Sequence, residues 1–256
     1  METNLLCFNI ENASKALIPF TKNYWKDRNK EIKYVLSLLS PDIMCFNEAT
    51  NLQINDLDNK FCDKLGYERY GEYTFYPILL ADCNPIYVKK SRFTVISSGS
   101  FCLSNTPSKR YSKLKVSEYY RNCNWVKVVD KYDDSNCFYV FATHTNGNEQ
   151  GEMQQKILVE EIEKIIGPND KAIVCGDFNL FYDSGKLKTM SDHFDNAREI
   201  IGIDENPTYH DRFERDVRCA IDFFFTRNVN PTNYRIVKES GDITYLSDHY
   251  PILLKF

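Results

Sequence analysis

Eight polar residues stand where they could do chemistry together. Asn9, Glu48, His144 and Asp177 each sit at or just past the end of a short apolar run. In sheets covered by helices such strand ends line one rim, and ligands bind there. Asn179 follows within Gly176-Asp177-Phe178-Asn179, and Ser247-Asp248-His249 is a polar cluster ahead of another apolar run. Glu48 and Asp248 are hard oxygen donors of the kind that suits Mg2+, which keeps several waters and takes one or two carboxylates. His249 is a candidate base for drawing a proton from water. Asp222 stands inside Ala220-Ile221-Asp222-Phe223-Phe224-Phe225, where a charge is costly unless paired. His249 suits as its partner; Arg215 and Arg218 are the alternatives. Taken singly, each residue has a plainer explanation: Asn9 or Asp177 opening a turn, Glu48 capping a helix, His144 satisfied in the core. Taken together they match what phosphodiester hydrolysis needs: a water nucleophile, a base, and charge stabilisation at the phosphoryl oxygens.

Positioning these residues takes strands that end together. Apolar runs at 5–8, 43–46, 86–88, 93–96, 138–143, 172–175, 220–225 and 252–256 read as strands. The third and fourth flank a turn at Lys89-Lys90-Ser91. Residues 28–39 carry apolar side chains at 32, 35, 36 and 39, the stripe of an amphipathic helix, and Pro41 stops it. A second such helix spans 152–166, closed by Gly167-Pro168. Strands and helices alternate early and strands dominate late, which favours an α/β architecture of mixed sheets covered by helices. With no Pro-, Gly- or Ser-rich linker and no internal repeat, one domain over 1–256 is expected.

In chain order, Asn9, Phe46-Asn47-Glu48, Thr143-His144-Thr145-Asn146, Gly176-Asp177-Phe178-Asn179, Ile221-Asp222-Phe223 and Ser247-Asp248-His249 resemble the endonuclease/exonuclease/phosphatase superfamily. Trp25-Lys26-Asp27-Arg28, Asn84-Pro85-Ile86-Tyr87, Phe101 to Pro107 and Arg121 to Trp125 are similar to a subgroup of small hydrolases of that superfamily. The resemblance implies a two-sheet, four-layer mixed β-sandwich flanked by helices, of deoxyribonuclease-like type, with a divalent-metal site at one rim. It implies that Glu48 is the principal Mg2+ ligand (Mn2+ being an alternative), with Asn9 beside it and Asp248 as second carboxylate. It implies that Asp222 orients His249 as base, Asp177 positions the attacking water, Asn179 binds a phosphate oxygen, and His144 contacts the scissile phosphate as donor or acid. Arg121, Asn146 and Asp82 are expected to touch substrate. Asn146 replaces a common aspartate, Asp82 is one methylene shorter than a glutamate of some nuclease relatives, and Asn47 replaces the more usual glutamine.

The implied activity is an Mg2+-dependent phosphoesterase with a phosphodiester substrate, nucleic acid first. A sphingomyelin-type phospholipid or an inositol phosphate is the alternative substrate, and an inactive binding module is the alternative of another class. Lys109, Arg110, Lys113, Lys115 and Arg121 fall within thirteen residues, interleaved with Tyr111, Tyr119, Tyr120 and Trp125. Such a mixture suits a single-stranded nucleic-acid groove, or else a solvated loop over core aromatics. The net charge of −4 gives no global field for nucleic acid. Nine cysteines without a CxxC pair point to buried free thiols in a reducing, intracellular compartment. The longest apolar run, 75–81, is far short of the ~20 residues of a membrane helix, and no signal peptide or obligate protein partner is read. His193 and His210 match no motif and are expected at the surface.

Overall fold

The computed structural model describes residues 1–13, 24–76, 81–203, 207–213 and 218–256, without the side chains of Lys60 and Phe213. The first half runs β1 (Asn4–Asn9), α1 (Trp25–Leu39), β2 (Ile43–Asn47), β3 (Ala49–Thr50), α2 (Asn51–Leu57), β4 (Tyr67–Tyr70), β5 (Asp82–Cys83) and β6 (Ile86–Lys89). There follow β7 (Phe93–Cys102), β8 (Asn122–Asp130), β9 (Asp133–His144), α3 (Asn148–Ile165) and β10 (Lys171–Asp177). The chain closes with α4 (Lys188–Ser191), β11 (Asp195–Asn196), α5 (Ala197–Ile201), β12 (Asp222–Arg227), β13 (Asn233–Ile236) and β14 (Ile252–Lys255).

Two six-stranded sheets carry the fold, in the orders β13-β14-β1-β2-β6-β4 and β11-β12-β10-β9-β8-β7. Alternate residues explain the layering. Leu5 and Cys7 of β1 face the inter-sheet core with Ile43, Cys45, Val140 and Ile173. Leu6 and Phe8 point the other way, onto Ile32, Val35 and Leu36 of α1. On the far side Phe141, Val174 and Phe223 pack on Leu158 and Ile162 of α3. Strands buried on both faces read as unbroken apolar runs, which is why the sequence marks them. The result is the expected four-layer, two-sheet mixed sandwich.

Several boundaries move. α1 starts at Trp25 and α3 at Asn148, three and four residues ahead of the expected starts at 28 and 152. β9 starts at Asp133 because its exposed first residues pair with β8. The strands flanking Lys89-Lys90-Ser91 do not pair with each other. β6 belongs to the first sheet and β7 to the second, so this turn crosses the sandwich. Ile86, Val88 and Phe93 all bury in the core between the sheets, and that burial outweighs a local hairpin. All nine cysteines are free thiols, seven buried and Cys137 and Cys219 half-buried. No described helix is long and apolar enough to cross a membrane.

Candidate active site

Strand register brings the first group of side chains together. β9 and β10 run parallel with His144 beside Asp177, and β10 and β12 run antiparallel with Asp177 beside Asp222. Three residues remote in sequence thus share one rung at the end of the second sheet. Gly176 makes the rung possible: it holds φ +154°, and a Cβ there would lie 1.8 Å from the Thr143 carbonyl oxygen. His249 arrives from the segment ahead of β14, anchored by a bridge to Tyr209. Its Nδ1 lies 2.9 Å from Asp222 Oδ2 and its Nε2 3.7 Å from Asp177 Oδ2. Asp222 therefore has His249 as partner. Arg218 is exposed, and Arg215 lies outside the described residues.

Asp177 is the hub. Its Oδ1 accepts from Asn179 N–H at 2.8 Å and its Oδ2 from Asn9 Nδ2 at 3.0 Å, while His144 Nε2 stands 3.5 Å away. Burial, helped by the Asp222 charge and opposed by His249, pushes the Asp177 carboxyl up to about 7. Burial pushes His249 down, but the carboxylates of Asp222, Asp177 and Asp248 outweigh it and lift the imidazole to about 10.

The first sheet supplies the other half. β1 and β2 run parallel with Asn9 beside Asn47, and Glu48 follows at φ 59°, a left-handed conformation that turns it out of the strand. The Glu48 carboxylate accepts from Asn9 Nδ2 at 3.4 Å and from Asn12 N–H at 2.9 Å. It caps no helix; Thr50 caps α2, accepting from Gln53 N–H. Asn9 spans the two sheets by donating to both Glu48 and Asp177, and its Oδ1 accepts from Glu11 N–H at 3.0 Å. For Asn9 to ligate a cation through that oxygen, its amide would have to turn. Asn47 also stitches the sheets, donating to Thr143 O at 2.8 Å and accepting from Asp177 N–H at 3.0 Å. Ser247 Oγ lies 2.7 Å from Asn9 O and 3.1 Å from Asp248 Oδ1, which draws Asp248 toward the same rim.

A cleft of about 510 Å3 opens beside this core, lined by Glu48, Asp82, Tyr119, Arg121, His144 and Asn146 among others. Arg121 donates through Nη1 to His144 Nδ1 at 2.8 Å and through Nε to Asn146 Oδ1 at 2.9 Å. Asn179 Nδ2 stands 2.8 Å from the other His144 nitrogen. With donors against both nitrogens a second proton has no place, and burial, then the Arg121 and His249 charges, hold His144 well below its ordinary range. A neutral, clamped imidazole suits orientation rather than acid catalysis. Asp82 bonds the Asn12 side chain and does not touch His144, whose nitrogens are taken by Arg121 and Asn179. Burial and the Glu48 charge raise the Asp82 carboxyl to about 6.

Behind the rim lies a group that sequence reasoning did not find. His210 is buried and not at the surface; His193 is exposed as expected. His210 Nδ1 accepts from Arg212 N–H at 3.0 Å, its ring packs on Tyr245 and Tyr250, and its backbone N–H donates to Asp248 O at 3.0 Å. Arg212 grips the Glu11 carboxylate with two nitrogens. Arg28, fully buried, donates to Ile10 O at 2.7 Å and Leu246 O at 2.9 Å, with Glu11 3.6 Å away. Glu11 follows Asn9 by two residues and Leu246 precedes Asp248 by two, so this network braces both rim loops. The signal in the sequence was Arg28 itself, in Trp25-Lys26-Asp27-Arg28.

The donors at the rim fit a hard divalent cation. Asp177, Asp222 and His249 offer ligand atoms all within 4.8 Å of one another, and Asp222 Oδ1 is buried with no hydrogen-bond partner. Buried oxygens in this excess need a proton or a cation to offset them. That trio differs from the expected set of Glu48, Asn9 and Asp248, and His249 Nδ1 is already engaged by Asp222. Glu48 and Asp248 are only half-buried and so open to an ion from solvent.

The family model for endonuclease/exonuclease/phosphatase proteins matches residues 4–249. The chain belongs to that family. An endonuclease/exonuclease/phosphatase of Bacteroides vulgatus is 23% identical, with 100% of this chain and 98% of that one covered and a TM-score of 0.86. A mannosyl-6-phosphatase of Bacteroides thetaiotaomicron is 19% identical over 98% of both chains, at TM-score 0.86. TDP2 of D. rerio, solved with a single-stranded DNA product, is 19% identical over 99% of this chain and 98% of that one, at TM-score 0.75. No curated protein matches significantly. Likeness at this identity establishes the fold alone; the family rests on the match over residues 4–249, and the substrate is left to the site's own chemistry.

Proposed function

We propose that this family member is an Mg2+-dependent phosphodiesterase that hydrolyses nucleic acid by attack of water. The observation that carries the reading is His249 bonded to Asp222 at 2.9 Å with its free nitrogen turned to Asp177. In this reading Asp222 fixes the imidazole, Asp177 and Asn179 hold the water and a phosphoryl oxygen, and Arg121, itself held by His144 and Asn146, donates to the phosphate. Asp82 supports the Glu48 side of the cleft through Asn12. Glu48 and Asp248, with Asn9 beside them, hold the cation (Mn2+ would fit the same donors). When bound, it draws charge from a phosphoryl oxygen and offsets the carboxylates that lift His249. His249 accepts the water's proton only from its neutral state, so this offset sets the pH range of turnover.

An inactive module on the same fold is disfavoured, because Asn9, Glu48, Asp177, Asn179, Asp222, Asp248 and His249 are all present. The test is hydrolysis of bis(p-nitrophenyl) phosphate, a single-stranded oligodeoxynucleotide, sphingomyelin, an inositol phosphate and a hexose 6-phosphate, with Mg2+ and with chelator. The reading expects diester hydrolysis that needs Mg2+ and disappears in His249→Ala. Chelator-resistant hydrolysis, or none on any diester, would overturn it.

A further inference from the structure

We propose that residues 75–76 and 109–121 form a ledge that stacks unpaired bases of single-stranded nucleic acid and leads its backbone into the cleft; this rests on the phosphodiesterase reading and names the form of its substrate. Phe75, Tyr76, Tyr111 and Tyr120 make a continuous patch of rings. Their centroids lie 4.5 Å apart for Phe75 and Tyr120, 4.6 Å for Tyr76 and Tyr111, and 5.0 Å for Phe75 and Tyr76. None of the four belongs to the three buried clusters that build the sandwich. Tyr76 and, nearer the cleft, Tyr119 are each 60% exposed. Phe75, Tyr111 and Tyr120 are half-buried beside the exposed Tyr76, so this cluster outside the core leaves part of its apolar surface in water, which needs a reason.

Cations follow the rings. Arg110 lies 5.5 Å from the Tyr111 ring, Lys113 5.3 Å from Tyr120, and Arg121 5.2 Å from Tyr119. Lys109 and Lys115 are exposed alongside. Five cations stand with one acid, Glu118, in 109–121, although the whole chain is acidic at −4; Arg110 is paired with Glu72 from outside the segment. Tyr111 itself is held at φ 56°, a left-handed state disfavoured for a bulky aromatic residue.

The ledge also has two ends. Tyr119 and Arg121 line the cleft that holds Glu48 and His144. Arg110 and Tyr111 line a second cavity of about 350 Å3, with Glu72, Ser100 and Asn122. Ring faces flanked by cations, running between two cavities, match a chain of alternating bases and phosphates. A duplex hides its base faces in the stack and would use only the cations.

The test is binding of a fluorescein-labelled ten-nucleotide oligo-dT, the same length as duplex DNA, and a hexose 6-phosphate to the full chain in EDTA. The single strand should bind at least tenfold tighter than the duplex. Tyr76→Ala should weaken single-strand binding about tenfold, with Tyr76→Phe restoring it. Lys113→Ala should lower the slope of log affinity against log salt by about 0.7. With Mg2+, Tyr76→Ala should cost at least tenfold more on the oligonucleotide than on bis(p-nitrophenyl) phosphate. Equal binding of single strand and duplex, wild-type affinity in both alanine variants, or preference for the sugar phosphate would overturn the ledge. Hydrolysis of bis(p-nitrophenyl) phosphate alongside any of these would leave the phosphodiesterase reading standing. Tight single-strand binding without hydrolysis of any diester would support the ledge and sink that reading.

Discussion

The two sides of the site are built by opposite rules. The inner side, Asp177, Asp222 and His249, hangs on neighbouring strands and a braced loop and is buried. Its members bond one another, so each one's charge state depends on the rest. The outer side, Tyr119, Arg121, Asn146 and Asn148, comes from loops and a helix start, is partly open to solvent, and borders the cleft. The contrast teaches where each task can be done. Proton transfer needs a fixed, dry geometry with strong electrostatics, whereas choosing a substrate needs surface that the substrate can reach.

The sharpest way to break the comparison is to cut the inner side. His249→Ala and Asp222→Asn should each lower turnover by at least 10³-fold, and the double variant should be little worse than His249→Ala, because members of one unit are not additive. Single-turnover rates per folded molecule check this; additive losses would mean the two act separately. Glu48→Gln should remove Mg2+-dependent turnover by about 10²–10³-fold. Its melting temperature in chelator should stay level or rise, since one of several crowded carboxylates is gone. Calorimetric titration with Mg2+ should find weaker binding, and wild-type affinity would remove Glu48 from the ligand set.

The brace behind the rim should answer in stability. Glu11→Ala leaves the Arg28 and Arg212 guanidiniums buried without their shared carboxylate, and should cost about 3–5 kcal/mol in chemical denaturation. A loss under 1 kcal/mol would show the brace to be dispensable. On the outer side, Asn146→Asp places a carboxylate against Arg121 Nε and should compete with the substrate phosphate for that charge. KM should rise several-fold with kcat within about twofold, and a fall in kcat alone would move Arg121 to the inner side.

Acid–base linkage gives a further, diagnostic effect. His249 sits at about 10 in the folded chain against an ordinary 6.5. The folded state then binds a proton that the unfolded state lacks, so this stability is full below 6.5 and is lost as pH rises through 10. Asp177, at about 7 against 3.8, is lost in the same direction and largely by pH 7. In chelator, denaturation should therefore find stability falling from pH 7 to pH 9, by about 2–3 kcal/mol. Asp222→Asn should flatten that slope. A rise over the same interval would mean that His249 is neutral in the folded protein.

Much of the inner side was legible in the sequence. Buried strands are unbroken apolar runs, so their polar ends stand out, and the cost of a lone charge in Ile221-Asp222-Phe223 demands a partner. The six motifs in order gave the family and with it the two-sheet sandwich. His210 misled because a histidine without a motif carries no mark of burial; Tyr245 and Tyr250, which enclose it, are remote in the chain. The turn at Lys89-Lys90-Ser91 and its flanking strands were legible, but local spacing carries no sign that the turn crosses between sheets rather than closing a hairpin.

The sequence by itself determined which residue types stand at the ends of buried strands, and so the chemistry on offer. Only the tertiary structure decided that His249 faces Asp222, that Asn9 and Asn47 join the two sheets, and that burial, with Arg121 alongside, holds His144 neutral. Those are contacts between segments tens to more than a hundred residues apart. Their register is set by the packing of two sheets against one core, and local periodicity contains no term for it.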